Sequence, residues 1–167
     1  FFMHGNRDFL CGNKFAEDAN ITILPDPFFI DYFDQKIALS HGDDFCTDDL
    51  KYIEFKKEVR SSSWQEDFLS KPLEERQKIA SNMRDASQSN KDKKDLSIMD
   101  VAANTIHKFF IQNNINLLIH GHTHRPNTHQ ISEPNVDGVR IVLGDWHDTG
   151  WCLTLEDQER VLEEFKL

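Results

Sequence analysis

The stretch that decides the fold is Ile115-Asn116-Leu117-Leu118-Ile119-His120-Gly121-His122-Thr123-His124-Arg125-Pro126. Its apolar half predicts a short buried strand that ends at a glycine, after which His122 and His124 stand in a loop. Imidazole is the commonest side-chain metal ligand, and α/β enzymes place reactive groups where strands run into loops. The stretch therefore predicts a metal-binding loop. The kind of metal site depends on the other ligands that the chain offers.

Composition describes a globular domain and excludes some functions. The chain has 167 residues, 29% of them charged, which is enough for one domain with its own core. Its formal net charge of −10 argues against a protein that coats nucleic acid, since such a protein needs clustered basic surface. The three cysteines are odd in number and far apart, so they predict neither a disulfide framework nor a Cys-based zinc site, and they fit a reducing cytoplasm.

Periodicity divides the chain into an α/β core and a helical insertion. Between residues 47 and 113, apolar residues recur at helical spacing, which predicts a helical cap and a return helix. Residues 1–46 and 114–167 read as alternating strands and helices and predict a layered α/β core. We expect a helix over 9–19, a strand or short helix over 160–166, and strands near 1–4, 21–24, 27–33, 35–40, 115–120, 127–132, 138–143 and 149–155.

Charge is distributed unevenly over this map. The segment 51–94 holds 11 Lys and Arg residues against 8 Asp and Glu residues, in a chain whose net charge is −10. A basic cap above an acidic core suits an anionic ligand, while a solvated helical face rich in lysine is the alternative interpretation.

Three loops that follow predicted strands carry metal-ligating side chains. Asn6 lies in Gly-Asn-Arg-Asp, His41 follows the strand over 35–40, and His122 and His124 follow the strand over 115–120. Ligands collect at the carboxyl ends of parallel strands, so these loops can converge despite their separation in sequence. Mixed nitrogen and oxygen ligation without thiolate favours manganese, iron or zinc.

The order of these blocks resembles the calcineurin-like metallophosphoesterases, which carry G-N-x-D, then a lone histidine, then G-H-x-H. Four longer motifs, at 2–10, 41–49, 97–101 and 120–126, are similar to the UDP-2,3-diacylglucosamine hydrolases of bacterial lipid A synthesis. The family's D-x-H and G-D-x-x-D blocks would lie before Asn6, so we expect this chain to be the carboxy-terminal part of a longer protein. Because those blocks supply metal ligands, we expect residues 1–167 alone to be inactive.

This resemblance implies an αββα metallophosphoesterase sandwich with a helical cap, lacking its first strands in this chain. It also implies two divalent metal ions, with Mn2+ as the expected metal: Asn6, His41 and His122 on one ion and His124 on the other. Arg7 stands where most of the superfamily has histidine, and an arginine suits a phosphate clamp rather than a general acid. Arg7 and His122 are the expected catalytic residues. The implied substrate contacts are Asn6, Arg7, Asp49, Ser87, Lys91, Lys94 and His122, and the contact at Lys91 could equally fall on Asn90.

The implied reaction cleaves the pyrophosphate of UDP-2,3-diacylglucosamine into 2,3-diacylglucosamine 1-phosphate and UMP. A diacylated substrate implies a peripheral protein at the cytoplasmic face of the inner membrane. We expect no nucleic acid and no protein partner.

Two alternatives keep some of these residues but change the function. One is a metallophosphoesterase acting on another nucleoside diphosphate compound, and the other is a metal-poor, non-enzymatic interaction module.

The residues at 144–148, Gly-Asp-Trp-His-Asp, match the letters of both missing blocks, D-x-H and G-D-x-x-D. We expect them to form a structural turn, because five residues cannot supply two separate loops.

Overall fold

The computed structural model describes residues 1–91, 100–157 and 159–167, and the side chains of 87–91 fall outside the description. The chain forms two compact units, Phe1–Cys46 with Val101–Leu167, and Thr47–Asp100. In chain order the elements are β1 Phe2–Met3, α1 Asn13–Asp18, β2 Ile23–Leu24, β3 Phe28–Tyr32, β4 Gln35–Ser40, a 3-10 turn at Asp43–Phe45, α2 Leu50–Val59, α3 Ser62–Ser70, α4 Leu73–Lys91, α5 Ala103–Asn113, β5 Leu117–His120, β6 Asn127–Glu133, β7 Val136–Val142, β8 Thr149–Glu156 and β9 Glu159–Lys166.

The first unit is built on a five-stranded sheet in the order β3-β4-β5-β7-β6. Its three inner strands, β4, β5 and β7, are parallel, while β3 and β6 pair antiparallel at the two sides. The carboxyl ends of the inner strands therefore lie along one edge of the sheet. β1 and β2 form a parallel pair, and β8 and β9 form an antiparallel hairpin.

Side chains alternate between the two faces of the main sheet because the period of a strand is two residues. On one face, Leu118 of β5 packs in a cluster with Ile106 and Phe110 of α5. On the other face, Leu117 of β5 packs against Leu153 of the β8–β9 hairpin. Helix, sheet and second sheet are thus stacked in layers, and the predicted α/β class is confirmed.

The start of α1 differs from the sequence expectation, and the structure decides between the two forms expected for the last element. Helix α1 begins at Asn13 instead of near residue 9, because residues 8–11 form a turn in which the Cys11 N–H donates to the Asp8 carbonyl over 2.9 Å. The last element is a strand, β9, since it pairs along its length with β8. Helix α5, expected as the return helix after the insertion, lies in the first unit, where Phe110 contributes to the core.

The described residues of the second unit include helices α2, α3 and α4. The Asp49 carboxylate accepts the Tyr52 N–H at the start of α2, and the Ser61 hydroxyl accepts the Trp64 N–H at the start of α3. Such caps satisfy N–H groups that have no partner within the helix. None of the helices described in the structure is both long enough and apolar enough to pass through a bilayer.

Candidate metal site

Two imidazoles face each other at the carboxyl edge of the sheet. Nε2 of His41 lies 3.2 Å from Nδ1 of His122, with the ring centroids 5.0 Å apart. His41 follows β4 and His122 follows β5, and these strands pair in parallel with Ser40 opposite His120. The pairing extends into the loops, because the Gly121 N–H donates to the His41 carbonyl over 3.0 Å. Adjacent parallel strands therefore bring together two histidines that are 81 positions apart in sequence.

The loop after β5 has an unusual backbone. His122 has φ +65° and His124 has φ +54°, both in the left-handed region that few residues other than glycine adopt. Between them, the Thr123 N–H donates to the Gly121 carbonyl over 2.8 Å. Residues in such conformations persist where the surroundings hold them, and they cluster at functional sites.

Gly42 allows the two histidine loops to approach. Its φ is +105°, and a Cβ on it would lie 2.7 Å from Nδ1 of His120 and 3.2 Å from the Gly121 carbonyl oxygen. A side chain at this position would therefore push the loop after β4 away from the loop after β5.

A third loop lies against His41 through Gly5. A Cβ on this buried residue would lie 3.1 Å from Cε1 of His41. The Gly5 N–H donates to the Asp8 carboxylate, which closes the loop over residues 5–8. Asn6 and Arg7 follow Gly5 directly, Asn6 half-buried and Arg7 exposed.

His120 supports the loop that bears His122 and His124. It is buried, and Nη1 of Arg140 lies 3.1 Å from its Nε2. A guanidinium can only donate, so Nε2 accepts and the ring proton sits on Nδ1. Nδ1 lies 2.9 Å from the Gly121 carbonyl oxygen and donates to it. The tautomer of His120 is thus set by Arg140, and the ring holds the residue just before His122.

Burial controls the protonation of His122. Loss of hydration on burial and, to a smaller extent, the neighbouring His41 lower the pKa of His122 to about 4, while Asp43 acts in the opposite direction. His122 is therefore neutral at pH 7, and a neutral imidazole is the form that binds metal.

The loop after β7 reaches His124. Oδ2 of Asp145 lies 3.2 Å from Nδ1 of His124 and 3.4 Å from Nε2 of His147. Residues 144–148, expected to be only a structural turn, follow β7 with bends at residues 147–148, and they place a carboxylate beside an expected ligand. This contact follows from the pairing of β5 with β7, which puts His120 opposite Val142.

The described residues can supply some of the ligands that a divalent ion needs. Two nitrogens 3.2 Å apart can bind one ion with bonds of about 2.0–2.1 Å at an angle of roughly 100°. Within the described parts of the chain, no group of three or more His, Cys, Asp or Glu side chains could hold a metal by itself. Asn6, which offers an amide oxygen, lies on the loop that touches His41. Imidazole and amide donors without thiolate are the kind of set that suits Mn2+, Fe2+ or Zn2+.

The remaining expected site residues stay predictions. Asp49 lies in the second unit, where its carboxylate caps α2. Ser87 and Lys91 lie in α4, and their side chains are outside the described residues, as is Asn90. Lys94 lies between the described ranges.

Three polar side chains that support the site were not predicted from the sequence. Asp26 accepts the His41 N–H over 2.9 Å, Arg140 donates to His120, and Asp145 contacts His124. For Asp145 the sequence did contain a signal, namely a carboxylate directly after a predicted strand, but its motif was interpreted as a structural turn. Asp26 and Arg140 stand in no motif, so only the folded sheet reveals them.

The family assignment agrees with this geometry. The family model of calcineurin-like phosphoesterases matches residues 1–126, which include the loops of Asn6, His41, His122 and His124. The chain belongs to this family. Membership implies divalent metal ions.

The chain is similar to proteins named UDP-2,3-diacylglucosamine hydrolase. It is 44% identical over 153 residues to the one from Cellvibrio japonicus, a match that covers 92% of this chain and 64% of the relative. It is 43% identical over 150 residues to those from Yersinia pseudotuberculosis serotype O:1b and Yersinia pestis bv. Antiqua, with 90% of this chain and 62% of each relative covered. The chain thus spans a little under two thirds of the length of these relatives.

Proposed function

We propose that the protein is a metal-dependent hydrolase that cleaves the pyrophosphate of UDP-2,3-diacylglucosamine into 2,3-diacylglucosamine 1-phosphate and UMP. The observation that carries the proposal is the pair of imidazole nitrogens, 3.2 Å apart, at the carboxyl edge of the sheet. The substrate is supported by the 43–44% identity to proteins named for that activity.

The chain's own residues have distinct roles in this proposal. His41 and His122 would hold one divalent ion together with Asn6, and His124 would hold the other. Arg7, exposed on the loop over residues 5–8, would grip phosphate oxygens through its planar guanidinium and stabilise charge that grows on them. When bound, the two ions supply charge neutralisation and an activated water.

Metal identity and location belong to the proposal as well. Mn2+ suits nitrogen and oxygen donors without thiolate. A substrate with two acyl chains places the reaction at the cytoplasmic face of the inner membrane, with the protein bound peripherally. Enrichment of the protein in washed inner membranes, and its release by salt or by carbonate, would support this location.

Substrate comparison tests the proposed function directly. The intact protein with Mn2+ is assayed on UDP-2,3-diacylglucosamine and on UDP-N-acetylglucosamine, and UMP release is measured. We expect strong preference for the acylated compound. Equal turnover of both would replace the lipid substrate by a general nucleoside diphosphate substrate.

Metal analysis separates the enzyme from a non-enzymatic module. We expect the purified protein to retain a divalent ion and to lose UMP release after treatment with a chelator. A protein without bound metal and without activity after addition of Mn2+ would favour an interaction module.

A further inference from the structure

The loop over residues 143–148, which follows β7, brings a carboxylate to the histidine loop. Asp145 is 39% exposed and His124 is 51% exposed at their side chains, and 3.2 Å separates Oδ2 from Nδ1. The two residues belong to neighbouring parallel strands whose loops leave the sheet side by side. The whole of β6 lies between them in sequence, so the contact is a product of the sheet order.

The backbone on both sides of Asp145 is anchored to the β8–β9 hairpin. A Cβ on Gly144 would lie 2.2 Å from the ring of Trp151, so the backbone lies against that ring. On the other side, Nε1 of Trp146 donates to the Trp151 carbonyl over 3.1 Å, and its ring meets the edge of Phe165. These contacts hold the backbone on both sides of Asp145, so its Cα stands at a fixed place beside the loop that bears His124.

The contact determines which nitrogen of His124 carries the proton. Nδ1 of His124 lies within hydrogen-bond distance of the Asp145 carboxylate, which only accepts, so Nδ1 is the nitrogen that carries a proton and in the neutral ring Nε2 is unprotonated. Carboxylates that accept from metal-binding histidines act in this way, since they fix the tautomer and ring orientation and make the ligating nitrogen more basic.

We propose that Asp145 is a positioning residue, which holds His124 in the Nδ1–H tautomer so that Nε2 is presented to a divalent ion. The inference rests on the proposed function, because it takes His124 as a metal ligand. Asp145 acts through His124 and touches neither substrate nor metal.

Metal affinity provides the first test. The intact protein is stripped of metal and titrated with MnCl2 in a calorimeter, as wild type and with Asp145→Ala, Asp145→Asn, Asp145→Glu and Asp148→Asn. Asp148 is exposed in the same loop and serves as the matched control for loss of a negative charge. We expect Asp145→Ala to weaken Mn2+ binding about tenfold or more. We expect Asp145→Glu to restore part of the loss and Asp148→Asn to bind like wild type.

Ring tautomers provide a readout that does not depend on metal or activity. Nitrogen-15 spectra of the metal-free protein should show the proton of His124 on Nδ1 in wild type and in Asp148→Asn, and a shift towards the Nε2–H tautomer in Asp145→Ala. The near-isosteric Asp145→Asn replaces Asp145→Ala if the latter fails to fold. Unchanged tautomer and unchanged Mn2+ affinity would overturn the inference. A wild type that binds Mn2+ but releases no UMP would refute the proposed function and leave the comparison between variants intact.

Discussion

Arg140 donates a hydrogen bond to Nε2 of the buried His120 over 3.1 Å. Because the opposite ring nitrogen then carries the proton and donates to the Gly121 carbonyl, a charged side chain on β7 supports the loop that bears His122. The loop of the candidate site is thus held in place by a residue that lies outside the expected set of ligands.

Removal of Arg140 should loosen this support. We expect Arg140→Gln to lower the free energy of unfolding by about 1–3 kcal/mol, the cost of disturbing a buried hydrogen bond to a charged donor. Urea denaturation measures this change, and Mn2+ titration should show weaker binding. Lys108→Gln removes one positive charge from the exposed side of α5 and serves as the control. Equal stability of the two variants would contradict the bracing role.

Gly42 should tolerate no side chain. Its φ of +105° and the 2.7 Å approach of a Cβ to His120 act together, so we expect Gly42→Ala to cost roughly 1–3 kcal/mol and to weaken metal binding. Gly12→Ala is the matched control, since nothing lies within 4 Å of a Cβ there and its φ is an ordinary −94°. Thermal or urea unfolding of both variants measures this difference in stability. An equal loss of stability in Gly12→Ala would contradict the prediction.

The histidine pair should be essential for activity. We expect His41→Ala and His122→Ala in the intact protein each to reduce UMP release by about 100-fold or more, because each would remove a direct ligand of one ion. His107→Ala, on α5, should keep wild-type activity, since its Nε2 lies near the Pro134 carbonyl and belongs to no loop of the carboxyl edge. Retained activity in either ligand variant would show that the pair does not bind metal.

Stability of the metal-free protein should fall in mild acid because of His122. Its folded pKa of about 4 lies below the ordinary 6.5, so the unfolded chain takes up the proton first as pH falls. The contribution of His122 to the free energy of unfolding is complete above pH 6.5. It declines as the pH falls towards 4, by at most ~3 kcal/mol. Urea midpoints measured from pH 7.5 to pH 4.5 reveal the slope. His122→Gln should flatten it, and an unchanged slope would assign the effect to other groups.

The sheet was predictable from the sequence where local chemistry decides. The hairpin of β3 and β4 was expected around Asp34, and both Phe33 and Asp34 adopt the left-handed conformation that a two-residue hairpin turn requires. β5 was predicted from its apolar run, and all four of its residues are buried. The start of α1 was not predictable, because the turn before it depends on hydrogen bonds that periodicity does not show.

The candidate site was predictable to the level of its histidines. His41 and His122 stand in recognisable loops, and the parallel neighbours β4 and β5 bring them together. The contact of Asp145 with His124 required knowledge that β7, and not β6, pairs with β5. Strand order is a long-range property, so the role of a carboxylate after β7 was invisible in the sequence.

The antiparallel return of β6 onto β7 has a practical consequence. The turn at Pro134 and Asn135 joins these strands at the amino end of β7, on the side of the sheet opposite the histidines. Both turn residues are exposed. A fluorophore or an affinity tag attached there would report on the protein while leaving the histidine edge of the sheet untouched.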